Sequence, residues 1–212
     1  MKFRERLEAL SSSQKKIWLV LIWLLLLSVM WIWWDERSLP DIRGVWASPG
    51  CEEVGHSGGV SHLKRSMRID DSVRSLTIDF YGDEGCITRL FSVDIEGPYD
   101  VGPNSMETRG ATTARFDLGK LTLTPREPGA AAAFDKAGCG AGGWKVGEGQ
   151  EVTQQGCLDL VPTAATCPTE YDIVKIEDGR LYLGDRTQGL CVPERYPKRF
   201  SPSTLTRLED DR

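Results

Sequence analysis

Period-two alternation across residues 62–96 constrains this chain more than any other feature. Leu63, Arg65, Met67 and Ile69 alternate with His62, Lys64, Ser66 and Arg68, and Leu76, Ile78 and Phe80 alternate with Thr77, Asp79 and Tyr81. After the turn Gly82-Asp83-Glu84-Gly85, the series Ile87, Arg89, Phe91, Val93, Ile95 continues the pattern between polar residues. Successive side chains of a strand leave on opposite faces, so this stretch reads as antiparallel strands with one apolar and one wet face. Further strands are expected at 113–118, at 120–124, and at Tyr171–Ile176 and Arg180–Gly184. The last two flank Glu177-Asp178-Gly179, where Asp-Gly favours a tight hairpin turn. Pro128–Lys136, rich in alanine, reads as one short helix. Residues 138–156 read as a glycine-rich loop with weak strand character near Trp144 and Val146. Twenty-two glycines and 11 prolines suit strands and turns rather than a helical bundle.

Eight or more short antiparallel strands with one apolar face must close on themselves or pair with a second sheet. The expected fold is all-β: an antiparallel, lipocalin-like β-barrel or half-barrel, preceded by one transmembrane helix. A barrel of this size holds at most one small apolar ligand.

The transmembrane expectation rests on Ile17–Trp34, where Ser28 is the only residue that is not apolar. Eighteen helical residues rise roughly 27 Å, close to the ~30 Å hydrocarbon core. Tryptophans mark both ends, Trp18 at one and Trp31, Trp33 and Trp34 at the other, as at membrane interfaces. The run exceeds a signal peptide's apolar stretch and no small-residue cleavage site follows, so it reads as an uncleaved signal anchor. Residues 1–16 carry a net +3, which leaves −8 for 35–212 within the total of −5. That split places the N-terminus in the cytoplasm and the acidic remainder outside it. Phe3, Leu7 and Leu10 fit one face of a short surface helix, or simply a basic anchor flank. The expected organisation is a cytoplasmic flank (1–16), an anchor (17–34), a linker (35–41), a β-barrel domain (42–207) and a tail (208–212).

All six cysteines, Cys51, Cys86, Cys139, Cys157, Cys167 and Cys191, follow the apolar run. An even count confined to the exported part points to three disulfides. Of the fifteen possible pairings the local set is preferred: Cys51–Cys86, Cys139–Cys157 and Cys167–Cys191. There is no C-x-x-C for zinc or thiol exchange, and two histidines leave little for metal chemistry. The acidic balance argues against a nucleic-acid partner. No metal or cofactor is expected.

Several motifs weaken on inspection. Gly55-His56-Ser57-Gly58-Gly59 faintly resembles a protease nucleophile loop but lacks an orienting carboxylate on a histidine, so a flexible turn is expected. Gly138-Cys139-Gly140-Ala141-Gly142-Gly143 spells a dinucleotide fingerprint without the strand before it and the helix after it. Without a nucleophile–base pair, an enzyme is not expected. Arg65 and Arg89 are more informative, because alternation places each on the apolar face of its strand. A buried charge needs a partner. It is either a structural ion pair with Asp or Glu, or an anion partner at the mouth of an apolar pocket.

Taken in order, Ile42-Arg43-Gly44-Val45-Trp46-Ala47-Ser48, Cys51-Glu52 and His62-Leu63-Lys64-Arg65-Ser66-Met67-Arg68-Ile69 resemble the opening of the adenomatosis-polyposis-coli-down-regulated (APCDD) domain. Phe80-Tyr81-Gly82-Asp83 ahead of Cys86 continues the likeness, as do Leu181-Tyr182-Leu183-Gly184-Asp185, Pro193–Tyr196 and Phe200–Leu205. The likeness spans roughly 40–207. Animal members are membrane-anchored glycoproteins that oppose Wnt signalling, and their barrel-like domains receive a lipid chain in a hydrophobic pocket. This chain departs in having one such domain, an N-terminal anchor and a shorter middle section, Gly129–Gly156, which suggests a bacterial relative. What the resemblance implies is a single-pass inner-membrane protein with its C-terminal domain in the periplasm, binding a lipid or fatty-acyl ligand. The expected pocket walls are Trp46, Leu63, Met67, Ile69, Leu76, Ile78, Phe80, Phe91, Val93 and Leu183, with Arg65 as polar anchor. A lipidated or envelope protein is a further partner. The alternative is a protein-binding or scaffolding envelope module whose barrel interior is packed core.

Overall fold

The structure is a computed structural model that describes residues 12–35, 39–56, 59–157, 163–193 and 195–208. Two compact units are present, Met1–Ser38 and Leu39–Arg212. The first contains helix α1 (Ser12–Asp35), on which the apolar run lies. Among the described residues no helix is long and apolar enough to cross a membrane. The expected span therefore stands on the sequence alone, and the reading of Phe3, Leu7 and Leu10 falls outside the described residues.

The second unit is one eleven-stranded antiparallel sheet. Its strands are β1 (Gly44–Ala47), β2 (Glu52–His56), β3 (Gly59–Ile69), β4 (Val73–Tyr81), β5 (Arg89–Asn104) and β6 (Thr112–Asp117), then β7 (Lys120–Pro125), β8 (Gln150–Glu151), β9 (Thr169–Glu177), β10 (Arg180–Leu183) and β11 (Leu205–Leu208). Pairing runs β1–β3–β4–β5–β6–β9–β10–β11 and returns to β1, an eight-stranded closed barrel. The alternation at 62–96 thus forms three adjacent staves. Closure leaves these eight strands with no free edge over the paired length.

Three staves outrun the closed part. Along one edge of β3, β1 pairs with Ser66–Ile69 and β2 with Gly59–Leu63. Along the far edge of β5, β6 pairs with Tyr99–Asn104 and β7 with Phe91–Glu96. The sheet therefore forks: its lower half closes through β9, β10 and β11, and its upper half, β2–β3–β4–β5–β7–β8, stays open. Gly97 marks the fork. A Cβ there would lie 2.1 Å from the Asp117 carbonyl oxygen, so only glycine lets the β6–β7 corner pass. Both halves of the expected "barrel or half-barrel" are present in one sheet.

Helix α2 (Pro128–Ala137) begins with proline in its first turn and ends at Gly138, whose left-handed φ of 69° closes the helix. Its Ala130, Ala131 and Phe134 are buried with Leu121 and Leu123 of β7. The hairpin turn between β9 and β10 has Asp178 at φ 50° and Gly179 at φ 70°, the conformation that Asp-Gly favours. All three disulfides pair as expected: Cys51–Cys86, Cys139–Cys157 and Cys167–Cys191. Among the described residues the core cluster is drawn from Ile42 to Leu205.

Two expectations are corrected. The Gly55–Gly59 stretch is not simply a flexible turn, because Gly55, His56 and Gly59 belong to the β2–β3 hairpin; Ser57 and Gly58 lie outside the described residues. Arg89 does not face the apolar side. A register shift pairs Phe80 with Phe91 but Tyr81 with Arg89, so Leu90 is an extra residue that turns Arg89 outward. There Arg89 is 45% exposed and lies 3.6 Å from Asp79.

Candidate functional site: the open half-barrel and the charges beneath it

Register assigns the inward side chains in rows across the forked sheet. The outermost row is Leu63, Phe80, Phe91 and Pro125; the next is Arg65, Ile78, Val93 and Leu123; the third is Met67, Leu76, Ile95 and Leu121. Leu63 and Val93 are buried, whereas Ile78, Phe80 and Phe91 are only partly buried against the core. Phe80 and Phe91 stack with centroids 4.5 Å apart, and Phe134 of α2 meets Phe91 edge-on at 5.5 Å. The Phe134 ring in turn contacts Trp144 at 5.1 Å, and the Trp144 indole N–H donates to the Cys139 carbonyl. An apolar shelf results, walled on one side by α2 and the Cys139–Cys157 loop.

The opposite wall is an ion pair. Arg65 Nε donates to Glu52 Oε1 at 2.9 Å and Nη2 donates to Glu52 Oε2 at 2.7 Å. Ser48 Oγ donates to the same carboxylate, and its oxygen accepts from the Arg65 backbone N–H. The two side chains are only 11% and 6% exposed. Arg65, expected as the polar anchor for a ligand carboxylate, has the side-on edge of its guanidinium filled by Glu52. The G-x-W-x-S and Cys-Glu stretches thus supply both a barrel tryptophan and the groups that close this pair.

The expected pocket residues fall into two groups. Trp46, Met67, Ile69, Leu76 and Leu183 are packed core, with Trp46 at 0% exposure. The Trp46 indole N–H donates to the Ile42 carbonyl at 2.9 Å, and the Arg207 guanidinium lies 4.6 Å over its ring. Leu63, Ile78, Phe80, Phe91 and Val93 form the shelf. A separate groove of about 280 Å³ lies over β4, β5 and β7, lined by Ser75, Thr77, Asp94, Glu96, Lys120 and Thr122. Its hydroxyls and carboxylates belong to the solvated face of the sheet.

Sequence reasoning missed a charged cluster in the closed half. Arg74, 1% exposed, donates from Nη1 to Glu170 Oε2 at 3.3 Å and stacks 4.4 Å over Phe116. Arg186, 42% exposed, donates to both oxygens of Glu170 at 2.9 and 3.1 Å. Asp172, 0% exposed, accepts from the backbone N–H of Ile173 and Gly184, at 2.7 and 2.8 Å. Burial by itself raises the Glu170 carboxyl, but Arg186 and Arg74 outweigh it and hold the group at about 2. Burial pushes the Asp172 carboxyl up and works against the charge of Arg74, which arginine's high ordinary value lets it keep. The signal was available: Arg74 is in phase with Leu76, Ile78 and Phe80, and Glu170 and Asp172 are in phase with Val174 and Ile176.

The family profile described as adenomatosis polyposis coli down-regulated 1 matches residues 35–171. The chain belongs to this family. The matched stretch covers the shelf, the Arg65–Glu52 pair, the first five barrel staves (β1, β3, β4, β5 and β6) and the start of β9. In this APCDD-family chain, Arg186, β10 and β11, which finish the barrel, lie beyond it.

Proposed function

We propose that this chain is a non-enzymatic, membrane-tethered binding protein whose open half-barrel takes a lipid or fatty-acyl chain. The observation that carries the reading is the shelf: Ile78, Phe80 and Phe91 keep apolar area in contact with water although the chain has a well-filled core to put them in. Partly buried aromatics with a few polar groups at the side are the usual composition of an apolar ligand site. The tether is the Ile17–Trp34 run; the charge split supports a domain outside the cytoplasm, in a bacterial relative the periplasm. Three disulfides support an oxidising compartment. A second reading, a protein-binding envelope module, draws support from the closed half, where Trp46, Met67, Phe116, Leu181 and Leu205 leave almost no accessible area. It differs in needing no ligand inside the sheet.

Native mass spectrometry of residues 39–212 isolated from the source cells decides between them. A co-purifying lipid mass that is lost in Phe91→Asp supports the acyl-chain reading. Ligand-free protein that also fails to displace a fluorescent fatty-acid probe supports the module.

A further inference from the structure

We infer that the shelf holds an apolar chain without reading the charge of the group at its end; this rests on the proposed acyl-chain function and concerns what that site selects. Leu63, Ile78, Phe80, Phe91, Val93, Leu123 and Pro125 carry no polar side-chain atom, which leaves Arg65 as the one inward charge in the two outer rows of β3, β4, β5 and β7. Both donors on the side-on edge of Arg65 are bonded to Glu52, and Nη2 also reaches the Ser203 carbonyl at 3.4 Å. A ligand carboxylate arriving there meets a neutralised pair. To take the side-on edge it would have to displace a buried Glu52 and leave that carboxylate without its cation, so only the Nη1 end of a guanidinium already neutralised by Glu52 is left to it. Of the other cations near the shelf, Arg89 and Lys64 are turned to the outer face, Arg89 set against Asp79 and Lys64, in register with Asp79, lying over the Tyr81 ring, and Lys145 of the loop wall pairs with Glu148. The end group of a bound chain is therefore left to water, and affinity follows the apolar area buried.

The test uses residues 39–212, the unit whose barrel closes on its own strands, with folding checked by circular dichroism. Dodecanoic acid, methyl dodecanoate and dodecyltrimethylammonium share one chain and differ in end charge. Each displaces a fluorescent probe below its micelle concentration. The expected result is affinities within about threefold of one another and little changed by salt, since screening acts on exposed charge pairs. Glu52→Gln opens the Arg65 edge and is expected to create a preference for the acid of about tenfold, equivalent to 1.4 kcal/mol. An acid preference of about tenfold already present in the unmodified protein overturns the inference while leaving the acyl-chain function standing. Failure of all three compounds to displace the probe overturns that function, and the inference with it.

Discussion

Replacing Glu170 by glutamine removes the one carboxylate that serves two guanidiniums. Arg186 and Arg74 both bond to it, and Arg74 is almost wholly buried. Removing one partner from a buried pair costs about 3–5 kcal/mol, because the abandoned charge stays in a poor solvent. A separate route gives a similar magnitude. The Glu170 carboxyl is held at about 2 against an ordinary 4.5, a difference worth about 3 kcal/mol. A folded value below the unfolded one means that this stability is full above the ordinary carboxylate range and is lost as pH falls towards 2. Glutamine does not titrate, so the variant lacks that part of the acid limb. Guanidinium denaturation of residues 39–212 at neutral pH is expected to show the loss, and melting to show a Tm lower by roughly 6–20 °C, at 2–4 °C per kcal/mol. The gap between the two proteins is expected to narrow on acidification. A loss below about 1 kcal/mol, or a gap as wide near pH 2 as at pH 7, refutes the reasoning.

Asp172→Asn is expected to gain on the unmodified protein as pH rises, since a raised carboxyl contributes stability below its ordinary value and loses it as pH climbs through the raised one; a stability difference independent of pH contradicts this. Arg65→Ala strands the buried Glu52 and is expected to cost about 3–5 kcal/mol in chemical denaturation, whereas a role confined to ligand binding would leave stability unchanged. Gly97→Ala drives a methyl group into the Asp117 carbonyl at the fork and is expected to cost about 3 kcal/mol or more, with melting as the readout.

Much of the fold was legible because strand alternation is a local property. Met67, Leu76, Val93 and Ile95 face inward as their phase requires, and Asp178-Gly179 turns as its conformational preferences require. The cysteine pairing was legible for a related reason: each bridge joins segments that short hairpins and loops already bring close. Alternation fails where one extra residue enters the register, which is how Leu90 turned Arg89 outward. It is also silent about partners. Phase places Arg65 and Arg74 on the same inward face, but it does not show that Glu52 on the neighbouring β2 meets one and Glu170 across the barrel meets the other.

The sequence by itself determined the strand faces, the turn positions, the three bridges and the family, because each is written in spacing along the chain. Only the tertiary structure decided that the sheet forks at Gly97, which expected pocket residues became core and which stayed on a partly buried shelf, and that the inward arginines are answered by carboxylates of other strands. Those outcomes depend on which residues meet across 13 positions for Arg65 and Glu52, and across 96 for Arg74 and Glu170. The β2–β3 hairpin sets the first meeting and closure of the barrel the second, and alternation along one strand encodes neither.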